Sequence, residues 1–366
     1  MRIASLALSG GGADGAFGAG LLAGWTARGD RPRFKTVSGV STGAIIAVFA
    51  FLGPEHDATL REIYTRYASE DLFAPAILAG LTGGTALLDT RRDRRLIERY
   101  VTEDVVRAIA EACRRDRVLL IGTTNLDVAR PVIWNIGAIA ASGHPDARRL
   151  IHDVIQASSA IPAAFPPVLI PVEGPGGRRY DEMHVDGGAT QQVMLFSPQI
   201  RSDLIDAAVG AEVERSVHVV VNNKLQKPYA PVRPRLAAIA GKAASSLIGG
   251  SGSGDIYRIF AVAERDGIDL DVTAIPRGFD AEADGMFDPD YMRALDEVGP
   301  DGRAVRTRQR SRRGMAASPG GGRGRAAAAP LHRRVHVASA KDQPRSVSAC
   351  TACSVATNSR RPRDHA

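Results

Sequence analysis

Residues 39–43 read Gly-Val-Ser-Thr-Gly, with a glycine two places either side of Ser41 and the apolar run Ala44 to Leu52 directly behind. A serine hydroxyl is a poor nucleophile at neutral pH. An active one must be exposed, aimed at a base, and set near donors that await the developing oxyanion. A sharp strand-to-helix turn provides the exposure, and Gly39 and Gly43 keep bulk away from its flanks. The helix behind it would also point the positive end of its dipole at Ser41. GxSxG arises often by chance, so its weight comes from its place between an expected strand and an expected helix.

A second cluster, Ser-Gly-Gly-Gly-Ala-Asp-Gly at 9–15, has two readings. Gly10, Gly12 and Gly15 fit GxGxxG after a first strand, with Asp30 near the distance of a ribose-binding acid, which describes a nucleotide-binding protein. Alternatively, the same backbone N–H groups can form an oxyanion hole beside Ser41, because neighbouring β-α turns emerge on the same edge of a parallel sheet. The second reading uses both turns. The first leaves Ser41 idle and takes its acid from Arg28-Gly29-Asp30-Arg31, which reads as a solvated turn.

A base is harder to find. None of the eight histidines sits in a context that marks it as catalytic, and His152 on an expected helix and His218 in an expected strand read as structural. Asp186 is more distinctive. It ends a short strand in His184-Val185-Asp186 and is followed by Gly187 and Gly188, so its carboxylate could approach another turn closely. Standing alone, Asp-Gly-Gly is a plain hairpin turn.

The elements that must position these groups follow from periodicity. Ile3 to Leu8 is a short apolar strand, and Phe17, Leu21, Leu22 and Trp25 recur at helical spacing after the glycines. Residues 34–39 and 42–53 repeat that strand-turn-helix order, and two such units predict a parallel sheet covered by helices. Residues 56–115 read as mostly helical. Strands resume at 117–126 and 130–137, an adjacent pair, and a helix from 147 must stop near Ile161-Pro162, before a proline-punctuated apolar loop. Further strands are expected at 183–188, 216–223 and 270–276. Residues 287–299 begin as an amphipathic helix and then lose the pattern.

Taken together, Ser-Gly-Gly-Gly-Ala-Asp-Gly, Gly-Val-Ser-Thr-Gly, the Ala157–Val168 stretch with its three prolines, and Asp-Gly-Gly resemble the patatin-like phospholipase family, from Ile3 to about Met292. The resemblance implies a three-layer α/β/α fold with a mostly parallel central sheet. It also implies acyl-ester hydrolysis by a Ser-Asp dyad through an acyl-enzyme. Carried over by motif, Ser41 is the nucleophile, Asp186 the base, and the amides of Gly10, Gly11 and Gly12 the oxyanion hole. No histidine, metal or cofactor is called for. The implied partner is a lipid or other acyl-ester substrate met by transient membrane-surface contact, with no obligate nucleic acid. One departure stands out: Asp14 occupies a position where many members carry Lys or Arg, which removes a positive charge from the rim.

Bulk properties divide the chain of 366 residues into 1–298, an acyl hydrolase domain, and 299–366, a basic low-complexity tail expected to be disordered. The formal charge of +7 belongs to that tail: residues 301–366 hold 15 Lys/Arg against 3 Asp/Glu, leaving 32 basic and 37 acidic residues in the first 300. A nucleic-acid- or membrane-binding role for the tail is the competing use of that charge. Its composition is also what GC-rich codons yield when read out of register. Three cysteines are too few for a disulfide framework, and Cys350-x-x-Cys353 lacks a second ligand pair. No signal segment is evident, and the apolar part of 36–54 is far short of the ~20 residues that span a bilayer. The expectation is a cytoplasmic protein, peripheral at membranes.

Overall fold

The computed structural model describes residues 2–76, 84–195, 199, 201–226, 229, 231–299 and 305–309. The Cys350/Cys353 pair and the basic stretch beyond 309 lie outside the described residues.

The first strand, β1 (Arg2–Leu8), and the second, β2 (Thr36–Val40), pair in parallel, and each runs through a short turn into a helix. Those helices are α1 (Gly15–Ala27) and α2 (Thr42–Leu52). Continuous apolar runs rather than alternating ones mark β1 and α2, which fits burial on more than one face. Leu6, Leu8, Val37, Ile46, Ala47 and Phe51 are all fully buried. Further along come helices α3 (Asp57–Arg66), α4 (Arg91–Tyr100) and α5 (Glu103–Arg114), then the strands β3 (Val118–Asn125) and β4 (Arg130–Asn135).

After α6 (Ala147–Ser158) the apolar stretch expected to be loop holds a strand, β5 (Val168–Glu173), which forms a hairpin with β6 (Arg179–Asp186). Strands β7 (Glu214–Lys224) and β8 (Asp269–Ile275) flank a helix of 31 residues, α7 (Leu236–Asp266). The order across the nine-stranded sheet of the described residues is β9-β8-β7-β1-β2-β3-β6-β5, with β4 also paired to β3. The centre, from β8 to β3, is parallel, and antiparallel strands close both sides. This is the mixed α/β architecture with a mostly parallel centre that the sequence predicts.

Two parts of the C-terminal region differ from expectation. Residues Pro289–Val298 complete a regular helix, α8, whose start is capped by Asp288 accepting from Asp290 and Tyr291 N–H (2.9 and 3.4 Å). Its pattern fades in sequence because one buried position is a charge: Asp296, 2% exposed, is gripped by Arg61 of α3 (2.8 and 3.1 Å to Nε). Glycine at position 20 lets α1 approach the same residue, since a Cβ there would lie 1.9 Å from the Asp296 carbonyl oxygen. Residues Val305–Gln309, inside the stretch expected to be disordered, form β9 antiparallel to β8. The reason is a partner rather than a pattern. The free edge of β8 supplies backbone pairing, and Arg308 Nε meets Asp271 at 2.6 Å.

Candidate active site

The register of β3 explains how residues 145 positions apart meet. Its residues 120–125 pair with β4 along one edge, so β2 and β6 must share the other. Val40 lies opposite Gly122 and Asp186 opposite Thr123, so the two strands arrive from opposite directions at consecutive residues of β3. Ser41 follows Val40 directly. The consequence is a contact of 2.6 Å between Ser41 Oγ and Asp186 Oδ2, with both residues only 6% exposed.

The serine turn is strained. Ser41 has φ 56° and ψ −127°, a region that non-glycine residues seldom adopt and that costs about 1–3 kcal/mol. Such strain persists only where surroundings hold it. Ser41 N–H donates to Ser158 Oγ (2.9 Å), whose hydroxyl donates in turn to the Gly122 carbonyl (2.7 Å). The flanking glycines are required by contact: a Cβ on Gly39 would sit 2.0 Å from Gly43 O, and one on Gly43 2.5 Å from Leu8 O. The same holds for the acid turn, where a Cβ on Gly187 would meet Gly122 O at 2.5 Å. Gly188 N–H donates to Asp186 Oδ1 (2.6 Å), leaving Oδ2 for the serine. Burial pushes the Asp186 carboxyl up to about 6, opposed by the hydrogen bonds from Ser41 and Gly188.

The glycine loop lies alongside. Ser9 and Asn222 of β7 fasten it: Asn222 N–H donates to Ser9 Oγ and its side-chain amide to Ser9 O, both at 2.8 Å. Gly11 and Gly12 open a 3₁₀ turn at Gly12–Asp14, and helix geometry leaves N–H groups at such an opening without an intrahelical acceptor. Gly10 is different. Its N–H donates to Gln192 O at 3.3 Å, so one of the three amides expected to face an oxyanion is committed to the loop that follows Asp186. Asp14 accepts a hydrogen bond from Tyr291 of α8 (2.7 Å).

The residues weighed and set aside fall away from this centre. His152 is buried with Nε2 2.7 Å from Val101 O. His218 packs edge-on against Trp25 and Phe34 and has Nδ1 3.6 Å from Asp271. His184 is fully buried, its Nδ1 2.9 Å from Thr123 Oγ1, and burial lowers its pKa. Asp30 pairs with Arg28 at 3.4 Å on the surface.

Sequence reasoning missed three supporting groups. Ser158 lies in a quoted motif, but nothing local shows that its hydroxyl crosses to Ser41. Asp255 of α7, 2% exposed, accepts from Gln192 and Val193 N–H (2.7 and 3.1 Å) and so holds the loop behind Asp186. The third is the pair of recesses that meet at Ser41. On one side is an apolar cavity of about 100 Å³, walled by Ile45, Val48, Phe73, Leu96 and Ile97 among others. On the other is an open groove of about 1160 Å³ between the glycine loop, Asp186, Lys224 and α7. A narrow apolar slot and a wide groove of mixed lining thus meet at Ser41.

A family model described as patatin-like phospholipase matches residues 6–196. No curated protein matches the chain. Among solved structures, VipD from Legionella pneumophila is 13% identical with a TM-score of 0.38, the match covering 82% of this chain and 66% of that one. A chain of the complex of full-length SpcU with full-length ExoU, from the type III secretion system of Pseudomonas aeruginosa, is 16% identical with a TM-score of 0.28. There the match covers 71% of this chain and 52% of that one. The chain thus spans just under two thirds of the first structure's length and about half of the second's. With the family model running over more than half of its residues, through both the glycine loop and the serine turn to the acid turn, the chain belongs to the patatin-like phospholipase family.

Proposed function

We propose that the protein is a lipid acyl hydrolase, of phospholipase A, lysophospholipase or carboxylesterase type, whose dyad is Ser41 and Asp186. The observation that carries this reading is the 2.6 Å contact between a strained, glycine-flanked serine and a buried carboxylate. The domain responsible is residues 1–298. In the first half-reaction Asp186 Oδ2 takes the hydroxyl proton as Ser41 Oγ attacks the ester carbonyl carbon. The tetrahedral oxyanion faces the Gly11 and Gly12 N–H groups, with the N-terminus of α2 behind Ser41. The C–O bond to the leaving alcohol breaks, that oxygen takes the proton from Asp186, and an acyl-enzyme remains. Water then attacks the acyl carbon, giving its proton to Asp186, and the released carboxylic acid leaves Ser41 reprotonated. The cycle balances without a cofactor.

Access to an aggregated lipid substrate is assigned to α7. Its N-terminal half borders the open groove and carries Leu236, Ile239 and Leu247 at 85%, 53% and 76% exposure, beside Arg235 and Lys242. Apolar side chains among basic ones suit the surface of an anionic bilayer. Among the described residues no helix is long and apolar enough to cross a membrane. Leu247→Glu should weaken co-sedimentation with anionic vesicles while sparing hydrolysis of a soluble ester, and unchanged sedimentation would remove α7 from the docking role.

The decisive experiment is hydrolysis of a panel of phospholipids, lysophospholipids and nitrophenyl esters, with Ser41→Ala as the blank. Full turnover by the alanine variant refutes the dyad.

A further inference from the structure

Polar side chains on the wall of the apolar cavity beside Ser41 satisfy one another. Gln156 Nε2 donates to Thr90 Oγ1 (3.3 Å), and its Oε1 accepts from Arg94 (3.2 Å). The Tyr67 and Tyr100 hydroxyls lie 2.8 Å apart, and Tyr64 OH donates to Thr42 O (2.9 Å). Asp93, the third residue of α4, lines the same cavity, yet among the described residues its carboxyl accepts no hydrogen bond. Its neighbour Arg94 is turned to Glu98 (2.8 Å) and Asp153 (2.5 Å). Asp93 is half-buried, and its carboxyl keeps acceptor capacity for a donor that enters the cavity.

We infer that this cavity takes a hydroxylated acyl group, whose hydroxyl pairs with the Asp93 carboxyl while the ester carbonyl lies at Ser41. The inference rests on the reading of Ser41 as an acyl-transfer nucleophile. Two observations narrow the ligand. The surrounding wall is apolar and burial pushes Asp93 up to about 7, so the carboxyl is partly neutral at physiological pH. A hydroxyl serves both forms, donating to the carboxylate and accepting from the acid, whereas an ammonium group would have to be desolvated to pair there. The volume, about 100 Å³, is less than the ~150 Å³ of a cavity that holds benzene, which points to a short acyl group.

The test compares p-nitrophenyl hexanoate, 3-hydroxyhexanoate and 6-hydroxyhexanoate as substrates of the full chain. At least one hydroxylated ester should be hydrolysed with a kcat/KM about tenfold or more above the plain ester, because a site built to bond a hydroxyl discriminates against its absence. Asp93→Leu should invert that order, losing the hydroxylated ester and gaining the plain one. Asp93→Asn, which keeps an acceptor oxygen and the same shape, should retain part of the preference. Fluorophosphonate labelling of Ser41 reports that each variant is folded. Equal kcat/KM on all three esters in the unaltered protein, with hydrolysis dependent on Ser41, overturns the role of Asp93 and leaves the dyad standing. Hydrolysis of these esters that persists in Ser41→Ala sinks the dyad instead.

Discussion

β1 ends at Leu8 and β2 at Val40, side by side in one parallel pair, and each chain turns within a few residues into a helix buried against the sheet. From this common plan the two turns diverge. The serine turn is the tighter one, with α2 beginning at Thr42, and it drives Ser41 to positive φ so that a side chain is thrust out at the strand end. The glycine turn takes a looser path through a 3₁₀ segment and carries no side chains at 10–12. One turn spends conformational strain to place a side chain at the strand end, and the other does without side chains. Each leans on a distant residue: Ser158 for the first, Asn222 for the second.

That contrast can be broken at three points. The largest effect is expected at the partner of the serine turn. Asp186→Asn should lower kcat by ~10²–10⁴-fold, the usual worth of base assistance, and loss of only twofold would show that the 2.6 Å contact does no catalytic work. As the proposed base, Asp186 would accept the proton only in its carboxylate form. With the group raised to about 6, kcat/KM should be flat above that pH and fall roughly tenfold per unit below it. A profile flat down to pH 4.5 contradicts the assignment.

Next is the glycine turn. A Cβ on Gly11 would lie 2.1 Å from Asn222 O, which cannot move without disturbing β7. Gly11→Ala should displace the donors and cut kcat by ~10²–10³-fold, the usual cost of losing an oxyanion donor, while fluorophosphonate labelling of Ser41 slows less. Undiminished turnover would place the oxyanion elsewhere. The smallest expected effect is at Ser158→Ala, which strips the Ser41 N–H and the Gly122 carbonyl of a partner at a fully buried site. The cost should be about 1–3 kcal/mol in chemical denaturation, together with a fall in kcat as the turn relaxes. Unchanged stability would mean that the strain at Ser41 is held by the sheet alone.

Legibility in the sequence followed how local each signal is. Both β-turn-α units could be read because strand, glycine spacing and helical period all fall between Arg2 and Leu52. Asp186 stood out through the two glycines behind it. The long helix α7 could not be read: residues 241–254 are rich in glycine and serine and have no period. It is held instead by Asp255 and by apolar residues near its C-terminal end, such as Ile259, Phe260 and Ala263, that pack toward β7 and β8. Strand β9 was hidden likewise, because its existence depends on an edge of β8 that no local pattern announces. The helix α8 lost its pattern at Asp296, a charge whose partner lies more than two hundred residues earlier.

By itself, then, the amino-acid order determined the chemistry on offer: a serine that can be turned outward, glycines that can bare their amides, and an acid able to approach closely. These are properties of residue type and short-range spacing. Only the tertiary structure decided that β2 and β6 meet on one edge of β3, that the Gly10 amide is taken by Gln192, and that the carboxyl of Asp93 opens into the cavity beside Ser41. Those outcomes depend on strand register and on which surfaces are left facing one another once the core has closed. Both are set by the packing of the whole sheet and not by any segment within it.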